Sequence, residues 1–311
     1  MFEPPTEVDD ADILTLVRDH WRSDAVRVEH LAVGFGAHHW RVDAAGSTLL
    51  FATYDRFRQR HTPASLESAY RGAIELADAG LEFVLAPIRT RTGEVIVPVA
   101  AGALSCTPWV DGAAVGDGAV TDPATAARNV TDLARLHAAT PPVGIPEWQP
   151  LVRAGLAERL ARSVDTPWQS GPYGEPARTA VDARLADIAD WTARYLELAE
   201  AADDRPWVAT HGETHTANQL STAAGIRLID WESLKLAPRE RDLTTLVQAG
   251  YGDQVAAELE MVELFDLEWR LSEIDEYASW FAAPHTGSAD DRIAYGGLLQ
   301  ELARGSWWPT G

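Results

Sequence analysis

The sequence predicts an α+β protein with two lobes, a smaller N-terminal lobe with an antiparallel sheet and a larger, mostly helical C-terminal lobe. Short apolar runs between Gly and Pro turns are frequent up to residue 107, whereas helical apolar spacing dominates after residue 230. The 311 residues also suffice for each lobe to bury its own apolar layer. These patterns therefore predict a two-lobe order along the chain.

The N-terminal lobe begins with a predicted helix and hairpin. Apolar residues at helical spacing predict a helix at about 10–21, and two strands flank the turn Gly34-Phe-Gly36. The apolar run 49–54 predicts the next strand. Thr62 and Pro63 form an N-cap and first helical residue for a helix that stops at Gly80. Later strands are predicted at 81–86, 95–100 and 103–107.

The C-terminal lobe begins at Pro108-Trp-Val110, the predicted connection between the lobes. Asp122 and Pro123 start a helix by the same capping logic. Residues 147–173 are rich in Pro, Gly and Trp and predict an insertion. Further helices are predicted at 178–201, 239–249, 254–265, 269–282 and 290–304.

The segment from Thr210 to Trp231 carries the most informative side chains. A strand at 207–210 enters a loop at Gly212, and a hairpin then returns the chain, which brings Asn218 near Asp230. With Glu213, these residues provide two carboxylates and one amide. Such groups orient a hydroxyl nucleophile and hold magnesium against nucleotide phosphates. The pattern therefore predicts a small-molecule kinase.

The same segment resembles a known family signature. Residues 211–218 together with Ile229-Asp-Trp231 resemble the aminoglycoside phosphotransferase and choline kinase-like family, and residues 109–112, 134–137 and 238–243 resemble further parts of it. The resemblance implies a protein-kinase-like fold with a nucleotide-binding lobe at 1–107 and a catalytic, substrate-binding lobe at 108–311. It also implies Glu213 as catalytic base, Asn218 and Asp230 as Mg²⁺ ligands, and ATP or GTP as donor.

Two features depart from the family pattern. Glu213 stands where the family usually has Asp, a workable change if the pocket leaves room, since the base chiefly orients the hydroxyl. The single lysine, Lys235, lies beyond the N-terminal lobe, and Thr53 takes the position of the phosphate-binding lysine. An arginine or histidine must replace that charge unless it is absent. The nearby candidates are Arg56, Arg58, Arg60, His61, His38 and His39.

Residues that contact the nucleotide are expected in the N-terminal lobe and at the connection. Glycines of a turn allow backbone N–H groups to approach phosphate, and Val110 offers an N–H to the base where Pro108 offers only a carbonyl. The expected nucleotide-binding set is Gly34, Gly36, His38, Thr53, Pro108 and Val110. Glu67 falls near the family's lysine-pairing glutamate, although a solvated helix acid is the preferred interpretation.

Substrate-binding residues are expected from the resemblance to be acids and aromatic rings of the C-terminal lobe. The candidates are Trp231, Glu232, Glu273 and Glu276. We expect Asp242 to be a buried structural acid. His211 and His215 have a spacing that superficially suggests zinc, but they follow a strand and Gly212, so His211 is better interpreted as an orienting residue.

The amino-acid composition limits the classes of binding partner that we expect. The 26 basic and 47 acidic side chains give a net charge of −21, which disfavours nucleic acid and anionic membranes and attracts cationic ligands, although acidity also serves solubility. A single cysteine, Cys106, and the lack of a signal-peptide pattern or long apolar run predict a cytoplasmic protein without a disulfide framework. The arginine-rich, alanine-rich composition suggests a bacterial source. Monomer and homodimer both remain open.

The sequence therefore predicts a Mg²⁺-dependent phosphotransferase that moves a nucleotide γ-phosphate to a hydroxyl of a small molecule. The preferred substrate is an antibiotic, aminoglycoside-like or another hydroxylated natural product, in resistance or self-protection. One alternative is an amino-sugar or amino-alcohol kinase of metabolism. Another is a nucleotide-binding pseudokinase sensor, which the missing lysine and the Glu213 departure favour.

Overall fold

A computed structural model describes residues 1–57 and 61–305. Its helices are α1 (Asp10–His20), α2 (Pro63–Asp78), α3 (Pro123–Ala138), α4 (Leu156–Val164), α5 (Gly174–Asp182), α6 (Leu185–Ala202), α7 (Thr244–Leu246), α8 (Gly252–Val255), α9 (Leu259–Ala282) and α10 (Ala289–Ala303). Its strands are β1 (Ala25–Leu31), β2 (His38–Ala44), β3 (Ser47–Arg56), β4 (Val97–Val99), β5 (Gly102–Pro108), β6 (Gly112–Ala114), β7 (Trp207–Thr210), β8 (Gln219–Thr222), β9 (Gly225–Leu228) and β10 (Lys235–Pro238). An antiparallel sheet near the N-terminus and a mostly helical remainder confirm the predicted α+β class.

The chain divides into two compact units. One combines Met1–Trp148 with Pro206–Val255, and the other combines Gln149–Arg205 with the residues from Ala256 onward. The functional boundary expected after residue 107 stays a prediction. Among the described helices, none combines the length and the apolarity needed to cross a membrane.

The first unit contains a five-stranded antiparallel sheet with strand order β1-β2-β3-β5-β4. Side chains alternate between its two faces. One face, which includes Trp40, Ala52 and Tyr54, packs with Ile13 and Val17 of α1 in a single buried cluster. Burial of this apolar layer fixes the register, because a shift by one residue would turn every side chain to the other face.

Two helix starts predicted from capping residues are confirmed. Thr62 caps α2 through a bond from the Ser65 N–H to its hydroxyl, and Pro63 is the first helical residue. Asp122 caps α3 in the same way, with Pro123 following. Both are local signals, because a cap needs only the side chain and the next three backbone N–H groups.

Other predicted elements differ from the structure. Residues 81–86 form no strand and make only one bridge, from Val84 to Leu228, and the strand at 95–100 shortens to β4. The helix predicted at 178–201 is divided into α5 and α6, whereas 254–265 and 269–282 fall largely within one helix, α9. Residues 239–249 form short 3₁₀, α and π turns with a positive φ at Gly250 instead of one helix.

The predicted catalytic hairpin is confirmed as local structure. β7 pairs with β10, and β8 pairs with β9, with Gln219 opposite Leu228. The N–H of Leu228 donates to the Phe83 carbonyl at 2.6 Å, and the Leu85 N–H donates back to Leu228 at 3.0 Å. The hairpin is therefore bonded to the segment that follows α2.

Candidate active site

The loop after β7 turns at Gly212, which has φ +94°. A Cβ at this position would lie 2.1 Å from Nη2 of Arg241, so a side chain fits neither the backbone angle nor the space. Arg241 also bonds the Thr210 hydroxyl at 3.0 Å. Glycine is therefore required where the chain enters the loop.

Asp242 holds this loop from beneath. Its carboxylate is 0% exposed and accepts the N–H groups of His211 at 3.1 Å and Gly212 at 2.6 Å. Nε2 of His137 lies 2.9 Å from the same carboxylate. Burial opposes ionisation, but the hydrogen bond and charge of His137, together with His211 and the Gly212 N–H, outweigh it and lower the pKa of Asp242 below its ordinary value. The expectation of a buried structural acid is confirmed.

His211 connects the loop to the end of β9. Its Nε2 lies 2.8 Å from the Ile229 carbonyl, and because a carbonyl only accepts, Nε2 carries the proton. Nδ1 then accepts the N–H of Glu213 at 3.2 Å. Burial lowers the pKa of His211, which keeps the ring neutral in this tautomer. The predicted orienting role agrees with these bonds.

Glu213 points its carboxylate toward the residues after β9. Its side chain is 17% exposed, and Oε1 accepts the hydroxyl of Ser233 at 3.2 Å. Nε2 of His215 lies 3.9 Å from Oε2. A carboxylate oriented by two neighbours and still reached by solvent is suited to accept a hydrogen bond from a substrate hydroxyl.

Asn218 and Asp230 lie at adjacent ends of the hairpin. The Ile229 N–H donates to the Asn218 carbonyl at 3.0 Å, which brings the two residues together across twelve positions of sequence. Nδ2 of Asn218 donates to the Glu213 carbonyl at 3.0 Å, so Oδ1 is the atom suited to a cation. Asp230 is exposed and has left-handed backbone angles, φ 71° and ψ 59°.

Carboxylates crowd around Asp230. Desolvation by the surrounding protein raises the pKa of Asp230, and repulsion from Glu213 adds to the effect. Burial and repulsion from Asp230 raise the pKa of Glu232 well above its ordinary value. Oε1 of Glu232 accepts the Ser233 hydroxyl at 3.3 Å, and a hydrogen bond between the carboxyl groups of Glu232 and Asp230 acts to lower the pKa of Asp230 and to raise that of Glu232. This arrangement favours binding of positive charge.

The oxygen atoms of Asn218 and Asp230 suit a magnesium ion that is also bound by phosphates and water. They do not suit a metal ion held by protein side chains alone. Within residues 1–57 and 61–305, no group of three or more His, Cys, Asp or Glu side chains has metal-binding geometry. Magnesium usually takes one or two carboxylates together with substrate phosphates and water. Asn218 and Asp230 therefore fit a magnesium ion that arrives with a nucleotide.

Asp55 is a carboxylate that the sequence patterns did not single out. It is buried on β3 and accepts the hydroxyl of Tyr70, on α2, at 2.9 Å. Burial, with repulsion from Asp230, raises the pKa of Asp55 to about 7. The bond from Tyr70 ties the sheet to α2 beside the carboxylates of the hairpin. This hydrogen bond could not be predicted from sequence, because it depends on how α2 packs on the sheet and no local pattern in either segment indicates it.

Glu67 corrects a sequence expectation. Instead of being a solvated helix acid, it is 23% exposed at its side chain and accepts the backbone N–H groups of Val95 at 3.2 Å and Ile96 at 3.0 Å. It also forms an ion pair with Arg71. This glutamate therefore anchors the chain before β4 to α2.

The predicted nucleotide-binding residues of the N-terminal sheet lie on different faces. Gly34 and Gly36 form the exposed β1–β2 turn with φ of 69° and 107°. His38 lies on the core face beside Trp40, and burial lowers its pKa to about 4. Thr53 lies on the opposite face, so the structure does not bring His38 and Thr53 together.

The remaining basic candidates are placed differently. Arg56 forms an ion pair with Glu7. His61 is half-buried just before α2, and Arg58 and Arg60 lie outside the described residues. Whether any of these side chains contacts phosphate stays a prediction.

In the connection after β5, the backbone N–H of Trp109 is already hydrogen-bonded within the protein. Pro108 ends β5, and the Trp109 N–H donates to the Leu49 carbonyl at 3.0 Å. Val110 follows and is half-buried. A role of Pro108 and Val110 in binding a nucleotide base stays a prediction.

The substrate-binding candidates differ in accessibility. Trp231 is 1% exposed, packs edge-on against His211 and donates its indole N–H to the Leu228 carbonyl at 2.8 Å, so it offers no stacking face. This corrects the expectation for Trp231. Glu232 lies beside Asp230, whereas Glu273 and Glu276 are half-buried on α9 in the other compact unit. A substrate role for these three acids stays a prediction.

Comparison with known proteins identifies relatives across most of the chain. The model of the family described as the phosphotransferase enzyme family matches residues 27–277. Protein StrN of Streptomyces griseus is 31% identical over 304 residues, covering 92% of this chain and 90% of StrN.

Solved structures show the same architecture. A spectinomycin phosphotransferase in complex with ADP and spectinomycin aligns with a TM-score of 0.70 at 14% identity, covering 94% of each chain. A mutant aminoglycoside phosphotransferase with AMP-PNP and hygromycin B aligns at 0.56 and 12% identity, covering 93% of this chain and 97% of that one. A choline/ethanolamine kinase family protein from Mesorhizobium loti aligns with a TM-score of 0.53 at 16% identity. The alignment covers 89% of this chain and 87% of that one. The protein-kinase-like fold predicted from sequence is confirmed.

Proposed function

The chain belongs to the phosphotransferase enzyme family and is a small-molecule kinase, and from this premise we propose that it transfers the γ-phosphoryl group of ATP or GTP to a hydroxyl of an antibiotic-like small molecule. One observation carries this proposal. The β8–β9 hairpin places Asn218 beside Asp230, while the Ser233 hydroxyl holds Glu213 near both. The residues that we propose as base and as cation ligands thereby lie in one arrangement.

The reaction follows from these positions. A substrate hydroxyl donates its hydrogen bond to Glu213, and its oxygen attacks the γ-phosphorus in line with the bridging oxygen of the diphosphate. The new O–P bond forms as the β–γ bridge bond breaks, the hydroxyl proton passes to Glu213, and the nucleoside diphosphate leaves. Magnesium held by Asn218 and Asp230 would neutralise charge on the phosphates.

Electrostatics and relatives support the choice of substrate class. The net charge of −21 and the carboxylates around Asp230 favour a ligand that carries amino groups. StrN is a Streptomyces protein, and the solved structures with TM-scores of 0.70 and 0.56 contain spectinomycin and hygromycin B. We therefore favour a hydroxylated amino-sugar or aminocyclitol antibiotic over an amino alcohol, a substrate class suggested by the choline/ethanolamine kinase-like neighbour.

A mass-spectrometric transfer assay tests this function. Protein, magnesium and either ATP or GTP would be incubated with a pool of aminoglycosides, spectinomycin-like compounds, amino sugars and amino alcohols. We expect one compound to gain a single phosphate, and Asp230→Asn to give no product. Magnesium-dependent nucleotide binding without any product would instead favour the pseudokinase sensor.

A further inference from the structure

One face of the N-terminal sheet carries an imidazole that the proposed mechanism does not yet use. His39 lies opposite Thr53 in the β2–β3 register, and its Nδ1 is 3.2 Å from the Thr53 hydroxyl. Its ring stacks on Phe51, with centroids 4.8 Å apart and planes at 28°. These two contacts fix both the tilt and the rotation of the ring. His39 is therefore a preorganised side chain, half-buried and still reached by solvent.

The other nitrogen of His39 lies against the glycine turn. A Cβ at Gly34 would lie 3.0 Å from Nε2 of His39, so the absence of a side chain at Gly34 makes room for the ring. Gly34 also has φ 69°, a backbone angle that favours glycine. With Nδ1 bonded to Thr53, Nε2 is the nitrogen presented beneath the turn.

The same face leads to the catalytic carboxylates. Thr53 and Asp55 are two residues apart on an unbroken stretch of β3, so their side chains share one face. Asp55 is close enough to Asp230 for that carboxylate to raise its pKa. His39, Thr53 and Asp55 thus form a row that extends from the glycine turn toward Asp230.

The sheet offers few other cations to a phosphate. The sole lysine of the chain is Lys235, outside this sheet. Arg41, the next basic residue on β2, is paired with Glu29 at 2.9 Å and Asp43 at 3.3 Å. Arg56 at the end of β3 is paired with Glu7. Within the described residues, the N-terminal ammonium also lies at the turn, where it donates to backbone carbonyls, and His39 is a basic side chain that lies against the same turn.

We propose that His39 donates a hydrogen bond from Nε2 to a phosphate oxygen of the bound donor nucleotide, and that Thr53 is its positioning residue. This inference rests on the proposed function. Burial lowers the pKa of His39 to about 3, so the ring is uncharged. When the Thr53 hydroxyl donates to Nδ1, the ring proton lies on Nε2, which then serves as a neutral donor. The arrangement supplies a donor where a kinase-like fold usually has a lysine.

Binding measurements on the intact protein test the inference. Titration calorimetry with Mg·ATP and Mg·GTP would be compared with titration by adenosine and guanosine, which lack phosphate. We expect His39→Ala to weaken nucleotide binding by about tenfold, the worth of one hydrogen bond of about 1.4 kcal/mol, and to leave nucleoside binding unchanged. His39→Gln should retain part of the affinity, because its amide can also donate.

Two further variants test whether a loss of nucleotide affinity comes from the position of the His39 ring or from removing any histidine. Thr53→Val should weaken nucleotide binding by about threefold, since it frees the ring without removing it. His20→Ala, at the end of α1, is the matched control and should bind as the wild type does. If His39→Ala melts early, His39→Gln and Thr53→Val carry the test.

The outcomes distinguish the two proposals. Failure of the wild type to bind either nucleotide would overturn the proposed function. Wild-type binding together with equal nucleotide affinity in His39→Ala would overturn this inference alone. An equal loss of nucleotide and nucleoside affinity would also overturn it, because the effect would then not concern phosphate.

Discussion

The two ends of the candidate site are stabilised in opposite ways. At the loop end, the carboxylate of Asp242 accepts bonds from His211, Gly212 and His137, so its buried charge is compensated within the protein. At the carboxylate end, Asp230 and Glu232 lie side by side, and burial with mutual repulsion raises the pKa of Glu232. The buried charge at the loop end is therefore compensated within the protein, whereas the carboxylate end keeps like charges close together, which a bound cation would offset.

This difference separates stability from catalysis. A network whose members are all satisfied stabilises a conformation, while an excess of like charge costs folding free energy until a ligand neutralises it. Substitutions at the loop end should therefore lower the free energy of unfolding. Substitutions at the carboxylate end should abolish turnover and leave the fold intact or more stable.

The largest effect is expected for Asp230→Asn. Loss of the proposed magnesium ligand should reduce kcat by about a thousandfold, equivalent to roughly 4 kcal/mol of barrier. The melting temperature should stay level or rise, because a repelled charge is removed and Asn tolerates left-handed backbone angles. Steady-state kinetics and calorimetry measure both. A near-normal rate would remove Asp230 from the mechanism.

Asp242→Asn should produce the contrasting result. The amide cannot accept all the bonds that the carboxylate accepts, so buried donors lose partners and the free energy of unfolding should fall by about 3 kcal/mol. Urea denaturation measures this loss. Asp24→Asn, at an exposed acid, is the control and should change stability little. Equal stabilities for the two variants would contradict the structural role of Asp242.

Glu213→Gln tests the residue between the two ends. We expect kcat to fall by about a hundredfold with KM nearly unchanged, because an amide orients a hydroxyl but does not take its proton. Glu213→Asp is the conservative control and should retain more activity than Glu213→Gln. A rise in KM alone would assign Glu213 to substrate binding instead of base catalysis.

The last effect is a pH dependence of stability with opposite signs at the two ends. The pKa of Asp55 is about 7 in the folded state against an ordinary 3.8, so between these values the folded protein keeps a proton that the unfolded chain releases. Its contribution to stability therefore falls as pH rises through that window, by at most about 1.4 kcal/mol per pH unit. Asp242, with a lowered pKa, contributes stability above its ordinary pKa and loses it in stronger acid.

Asp55→Asn should flatten the slope between pH 4 and 7 in ligand-free protein. Denaturation at several pH values measures this slope, and Asp24→Asn again serves as the control. A slope that is unchanged in Asp55→Asn would show that Asp55 does not hold the proton.

Sequence patterns predicted the parts of this molecule that are locally encoded. The caps at Thr62 and Asp122 and the return of the chain from Asn218 to Asp230 depend on neighbouring residues, and the structure has them. The helix predicted at 178–201 was wrong in its continuity, because the chain interrupts it between Asp182 and Leu185. Helical periodicity does not reveal such a break.

The sites that sequence patterns missed depend on pairing between distant segments. His38 and His39 are neighbours, and only the register of β2 against β3 decides which ring faces the core and which faces Thr53. The bond from Tyr70 to Asp55 likewise requires α2 to pack on the sheet. Residue types alone could nominate these side chains but could not choose among them.

The bridge between Val84 and Leu228 has a consequence for how the molecule assembles. It closes a loop of 228 − 84 = 144 residues, and contacts of such long sequence separation form late because their closure entropy must be overcome first. During synthesis, β9 reaches its partner only after Gln149–Arg205, a segment of the other compact unit that lies between them in the sequence, has emerged. The β8–β9 hairpin should consequently be among the last regions to gain protection from hydrogen exchange during refolding, and a fragment that starts at residue 108 should not protect it.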